Sequence, residues 1–213
     1  MNKVIVVDYG LSNLLSICRA LEYCGAEVYI TDSPADVMAA ERLVLPGVGA
    51  FADGMEGLRR KGLVNAIREF AAKERPFLGI CLGMQMMLDS SEEFGINEGL
   101  GLIPGIVQAI PPTDIEGNSH KIPHIGWNLL QIPSKRNGWK DSILSSIDAG
   151  CSVYFVHSYT AVPHNDEARL ADTFYNGRLI SAAIKSGNLY GCQFHPEKSG
   201  TLGLKIIKNW LDI

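Results

Sequence analysis

The sequence predicts an α/β fold: a mostly parallel central sheet with flanking helices and an antiparallel extension. Two observations predict it. Through residue 88, short β-branched runs alternate with stretches of helical spacing, and that alternation puts successive strands parallel with helices on both faces. Beyond residue 88 turns separate the strands, and Asn176-Gly177 between two apolar runs is a type I′ hairpin signal. That half is expected to be largely antiparallel, extending the parallel sheet or lying beside it. No repeat, low-complexity segment or linker interrupts the 213 residues, so 1–213 is expected to form one domain.

Taken in order, Lys3–Val7 is a continuous β-branched strand ended by Asp8-Tyr-Gly10. Asn13–Tyr23 has helical spacing (Leu14, Ile17, Leu21) and is closed by Gly25. Glu27–Ile30 is a second strand. Ser33 then caps a short helix whose first residue is Pro34. Arg42–Leu45 is the third strand, stopped by Pro46-Gly-Val-Gly49. Helices over Ala52–Arg60 and Leu63–Lys73 lead to Phe77–Ile80, a buried strand behind Pro76, and to an apolar helix over Leu82–Leu88. In the second half, Ile103–Ile110, Gly126–Ile132 and Val153–Tyr159 read as strands, and Pro111–Pro123 as a polar loop. Leu170–Tyr175 and Leu179–Ile184 flank the hairpin turn, Tyr190–Phe194 follows, and Gly203–Leu211 is a closing amphipathic helix.

Composition narrows the function classes. Apolar residues make up 46% and charged residues 20%, which describes a folded globular chain. A net charge of -4 with scattered Lys and Arg offers no basic face for nucleic acid. No apolar run approaches the ~18 residues of a membrane span. Met1 leads directly toward the Val4–Val7 run, so no signal peptide is expected. Five widely spaced cysteines (Cys18, Cys24, Cys81, Cys151, Cys192) without a CxxC point to reduced thiols in a cytoplasm, with no zinc pattern.

Cys81 sits where a strand meets a helix, flanked as Gly79-Ile-Cys-Leu-Gly83. This is the cysteine form of the strained turn that lifts a nucleophile out of a sheet. The helix N-terminus beside it favours a thiolate and an incoming oxyanion. A buried structural cysteine is the competing reading. His195-Pro-Glu197 follows the last strand, and residues i and i+2 of an extended chain point the same way. An imidazole is thereby set beside a carboxylate, as a base oriented by an acid. A loop histidine beside a solvated glutamate is the alternative. Gly47-Val-Gly-Ala-Phe-Ala52 also fits the dinucleotide fingerprint. Against that stand Pro46 before the first glycine, the absence of an acidic residue after the next strand, and a position away from the first strand.

Pro46-Gly-Val-Gly49, Gly79-Ile-Cys-Leu-Gly-Met-Gln85 and Gln193-Phe-His-Pro-Glu-Lys-Ser199 resemble the three signature blocks of class I glutamine amidotransferases. Asp8-Tyr-Gly10 with Asn13-Leu14, Pro123-His-Ile-Gly-Trp-Asn128 and Tyr154-Phe-Val-His-Ser-Tyr159 are similar to the glutaminase subunits of imidazole glycerol phosphate synthase. The resemblance implies the flavodoxin-like fold of that family. It also implies hydrolysis of glutamine to glutamate and ammonia, without metal or cofactor. Cys81 is then the nucleophile, His195 the proton shuttle and Glu197 its orienting acid. The N–H of Leu82 and one from the Val48–Gly49 turn form the oxyanion hole. Gln85 bonds the substrate's α-carboxylate end, Glu93 meets its α-ammonium, and Ser158 and Tyr159 offer backbone groups. By itself Glu92-Glu93 looks like a solvated pair.

Trp127 and Tyr154 face a partner in this reading, with a core role as the competing one. That partner is a (β/α)8 cyclase subunit that uses the ammonia for imidazole glycerol phosphate in histidine biosynthesis. The isolated chain is expected to be a weak glutaminase because the Gly47–Gly49 donors need reorienting. Two departures, Ser12 for a glycine and Cys192 for a valine, together with the unusual Ser134–Gly150 segment, leave an alternative. It is a paralogue supplying ammonia to a sugar-amidating enzyme.

Overall fold

A computed structural model describes residues 2–213. The first half runs β1 (Asn2–Val7), α1 (Leu14–Tyr23), β2 (Ala26–Thr31), α2 (Pro34–Ala39), β3 (Leu43–Gly47), α3 (Phe51–Arg60), α4 (Leu63–Ala72), β4 (Phe77–Cys81) and α5 (Leu82–Met86). Two short strands follow, β5 (Ser90–Ser91) and β6 (Asn97–Glu98), then β7 (Gly105–Ala109) and β8 (His124–Leu129). The chain ends with β9 (Ser152–His157), β10 (Tyr159–Pro163), β11 (Arg169–Tyr175), β12 (Arg178–Ser186), β13 (Leu189–Cys192) and α6 (Gly200–Leu211). Ser33 caps α2 as its sequence requires, accepting from Asp36 N–H at 3.4 Å. Asn176 and Gly177 both take positive φ (48° and 81°), the type I′ geometry the Asn-Gly pair predicts.

Seven strands form the central sheet in the order β11-β12-β13-β4-β3-β1-β2. From β2 to β13 the neighbours are parallel, and β12 and β11 are the antiparallel extension. The sequence reading placed β13 in the antiparallel half. It instead pairs parallel with β4, with Cys192 opposite Ile80. The reason is burial: β4 is covered on both faces, and β13, with Tyr190, Gly191 and Cys192 buried, fills the sheet position beside it. This pairing has a functional consequence, because the chain leaving β13 now emerges beside the chain leaving β4.

Three other expectations shift. The run expected as one strand over Val153–Tyr159 is two, β9 and β10, broken at Ser158; β9 pairs with β8 and β10 with β7. The helix after Cys81 stops at Met86, and α6 begins at Gly200. One apolar cluster packs the sheet against α1 and α6, the other against α2 to α5. The Ser134–Gly150 segment has no helix or strand, yet Trp139, Ile143, Leu144 and Ile147 join the first cluster. Among the described residues no helix is long and apolar enough to cross a membrane.

Candidate active site

Cys81 ends β4 and immediately precedes α5, with φ 53° and ψ -110°. A non-glycine residue at positive φ is strained, and strain of this kind persists only where the surroundings enforce it. Here the enforcement is close packing. A Cβ on Gly83 would lie 1.8 Å from Leu45 O, and one on Gly79 would lie 2.9 Å from Gly83 O. Both flanking positions must therefore be glycine for β4 and α5 to meet at this angle.

Across the β4–β13 pair stands the chain that follows β13. His195 is 3% exposed, and its Nδ1–H donates to Glu197 Oε1 at 2.7 Å. Ser199 holds this segment: its hydroxyl donates to His195 O (2.7 Å) and accepts from Tyr154 N–H (3.0 Å), while His195 N–H donates to Tyr154 O (2.9 Å). The other ring nitrogen, Nε2, is buried beside the Cys81 thiol and short of a full hydrogen bond. Such looseness is ordinary before substrate binds. Burial pulls the His195 pKa down, but the nearby Cys81 sulfur and the hydrogen-bonded Glu197 carboxylate outweigh it and raise it to about 9. The surroundings thus favour the protonated imidazole. The solvated-loop reading fails, since the Glu197 side chain is buried with His195; Cys81 is buried as well, at the edge of a cavity.

Cys81 and His195 line a cavity of about 280 Å³ together with Val48, Gly49, Leu82, Gln85, Glu93, Ser158 and Tyr159. That volume is at the small end of ligand sites and suits a metabolite the size of an amino acid. Gly47 lies just behind: a Cβ there would meet the Tyr9 hydroxyl at 2.1 Å and Leu82 Cβ at 3.0 Å, so the turn after β3 can approach α5 only without a side chain. Glu93 is not the solvated residue its neighbour Glu92 suggests. It is 9% exposed, and its Oε2 accepts from Phe51 N–H at 2.7 Å, capping α3, whose N-cap Ala50 has no side chain for the purpose.

Three groups are already engaged. The Val48 N–H donates to Leu11 O at 3.0 Å. Both amide N–H groups of Gln85 are taken, by Tyr159 O and Gln193 Oε1 at 3.1 Å each, so toward the cavity Gln85 has only its oxygen to offer. The Ser158 carbonyl accepts from Ile110 N–H (2.9 Å).

Sequence reasoning gave no role to Gln193, whose Nε2 lies 3.8 Å from Cys81 Sγ. The signal was present, since Gln193 and His195 are two apart on one extended segment. It also gave none to Ser199. Trp127 and Tyr154 meet edge to face at 6.1 Å. Trp127 is 59% exposed, which rules out its core role. Of the two departures, Cys192 is fully buried with its thiol pKa raised, first by burial and then by Glu197, so it acts as a small apolar side chain. Nothing in the structure explains Ser12.

The sequence profile of the family Glutamine amidotransferase class-I matches residues 5–213. The Imidazole glycerol phosphate synthase subunit HisH 1 of Legionella pneumophila (strain Lens) is 55% identical over 213 residues, covering 100% of both chains. The Imidazole glycerol phosphate synthase subunit HisH of Geobacillus sp. (strain WCH70) is 46% identical over 210 residues, 98% of this chain and 95% of that one. Among solved structures, PurLQS from Thermotoga maritima superposes with a TM-score of 0.70 at 22% identity, covering 99% of this chain and 98% of that one. A crystal structure of a glutamine amidotransferase gives a TM-score of 0.72 at 15% identity, covering 98% and 97%. The two structures establish the fold alone.

Proposed function

This chain belongs to the class I glutamine amidotransferase family, and from that premise we propose that it is the glutaminase subunit of imidazole glycerol phosphate synthase. It hydrolyses glutamine and hands the ammonia to a (β/α)8 cyclase subunit that completes the synthesis in the histidine pathway. The observation that carries the chemistry is one cavity containing a cysteine held at positive φ and an imidazole bonded to a carboxylate at 2.7 Å.

In this reading Cys81 Sγ attacks the side-chain amide carbon of glutamine as the thiolate, its proton held on His195 Nε2. The C–N bond breaks as His195 delivers its proton from Nε2 to the departing nitrogen, leaving ammonia and a γ-glutamyl thioester. Water then attacks the thioester as His195 takes its proton, and the adduct collapses to glutamate and the Cys81 thiolate beside a protonated His195. Glu197 keeps the imidazole in the required orientation and stabilises its charged form. Negative charge gathering on the amide oxygen is met by the Leu82 N–H at the start of α5, together with a donor from the Val48–Gly49 turn. Gln85 and Glu93, as acceptors, favour the end of glutamine that carries the α-ammonium.

The Val48 N–H supports a dependence on the partner. While it is bound to Leu11 O it is withheld from the oxyanion, so the turn must rotate before the hole is complete. The exposed side of β8 supports a docking face beside the site. Ile125, Trp127 and Leu129 all point outward there, and Val156, which pairs with Ile125, lines the cavity. The two curated relatives described above carry the histidine-pathway name, which favours that partner over a sugar-amidating one. The dinucleotide reading falls with the family, since the Gly47–Gly49 loop faces a cysteine site.

The test is glutamate release by the purified chain, alone and with the histidine-pathway cyclase subunit. Turnover rising by about two orders of magnitude on adding the cyclase is expected, the size of one oxyanion donor. High turnover of the isolated chain that the cyclase leaves unchanged overturns the proposal.

A further inference from the structure

Two buried histidines lie outside the mechanism above. His124 is 3% exposed and His157 is 6% exposed. The His124 ring is stacked between Phe155 and Tyr175, with centroids 5.0 and 4.3 Å away. Their hydrogen bonds form a chain whose direction is set at one end. The Asn128 amide oxygen accepts from Leu129 N–H at 2.8 Å. Its nitrogen therefore faces inward, donating to Phe174 O (3.0 Å) and to His124 Nε2 (3.3 Å). His124 Nε2 being an acceptor, the ring proton is on Nδ1, which donates to His157 Nε2 at 3.0 Å. By the same logic His157 carries its proton on Nδ1 and donates it to Tyr159 O at 2.8 Å. Tyr159 O also receives Gln85 Nε2, which bonds Gln193 Oε1, and Gln193 Nε2 faces Cys81 Sγ.

We propose that His124 and His157 are positioning residues that transmit the state of strand β8 to the glutamine site. The relay runs from Asn128 through both rings to the Tyr159 carbonyl, Gln85 and the cysteine. This rests on the glutaminase reading above and adds to it a route from the docking face. Alternation along β8 supplies the linkage. Ile125, Trp127 and Leu129 project to the exposed side while His124 and Asn128 project inward, so a partner that shifts β8 shifts the head of the relay. The chain needs both rings neutral, because a second ring proton would set N–H against N–H. Burial keeps them so, lowering the pKa of His124 to about 4 and of His157 to about 3.

The experiment measures KM for glutamine, kcat and the stimulation by the histidine-pathway cyclase subunit. The variants are His157→Phe, His157→Asn and Asn128→Asp, and cyclase binding and ammonia-dependent synthesis by each complex are followed in parallel. His157→Phe keeps a ring but removes both hydrogen bonds. This variant is expected to raise KM or lower stimulation at least about tenfold while cyclase binding and ammonia-dependent synthesis persist. His157→Asn restores a donor where Nδ1 stood and is expected to recover most of the KM. Asn128→Asp removes the donor that sets the direction of the chain, at a half-buried position, and is expected to lose stimulation. Wild-type KM and stimulation in His157→Phe and Asn128→Asp overturn the proposal. So do equal defects in the Phe and Asn variants, which indicate packing alone. Absence of glutaminase activity in the wild-type complex would instead sink the glutaminase reading itself.

Discussion

The two turns that face each other across the cavity are in different states of readiness. At the β4–α5 turn Cys81 is held at φ 53° by two glycines that cannot be replaced, and the imidazole and carboxylate beside it are already paired. At the β3–α3 turn the Val48 N–H is bound to Leu11 O, and Gly49 at φ 114° has the freedom to pivot. The side that carries Cys81 and the His195–Glu197 pair is thus held in place, while the turn proposed to stabilise charge has its Val48 N–H engaged. A free ammonia molecule released without its consumer is wasted, and under the proposed function release waits until the second turn changes state. The difference teaches that preorganisation can be confined to one wall of a site.

Four measurements break or sharpen that contrast. Cys81→Ser is expected to lower glutamine-dependent turnover of the complex by at least about 10⁴-fold, with ammonia-dependent synthesis intact; loss of both would make the elbow merely structural. Glu197→Gln removes the acceptor that orients His195, and kcat should fall about 10³- to 10⁴-fold, the loss seen when such an imidazole takes the wrong tautomer. A much smaller loss would mean that the dyad is not complete in the resting chain. Val48→Pro deletes the N–H that the second turn withholds. Cyclase-stimulated kcat should drop about 100- to 1,000-fold and the stimulation ratio collapse toward one. A ratio that survives would place the oxyanion donor elsewhere.

The smallest effect is in pH. His195 is raised from 6.5 to about 9, so kcat/KM should decline about tenfold per unit once pH passes about 9 and the proton needed by the leaving nitrogen is lost. The same shift stabilises the fold fully below 6.5, and that contribution disappears as pH rises through about 9. A melting temperature insensitive to pH between 7 and 10 in wild type, matched by His195→Asn, would contradict the raised pKa.

Much of this was readable before any coordinates. The Gly79–Gly83 frame around Cys81, the His195-Pro-Glu197 spacing, the Ser33 cap and the Asn176-Gly177 turn each depend on residues a few positions apart. Local sterics and hydrogen bonding decide those contacts, and they are written in the order of residues. Glu93 was less legible, since the Phe51 N–H it caps lies 42 residues away.

The remaining facts are decisions of the folded chain. That β13 enters the sheet parallel to β4, bringing His195 to Cys81 across more than a hundred residues, depends on which buried position that strand can fill; an apolar run such as Leu189–Cys192 carries no mark of its neighbour's direction. That Val48 donates to Leu11, and that His124 meets His157 on the neighbouring strand, depends on backbone and side-chain groups meeting in space. Residue type specified which chemistry the chain could perform, and nonlocal pairing determined how its groups meet and which of them stand ready.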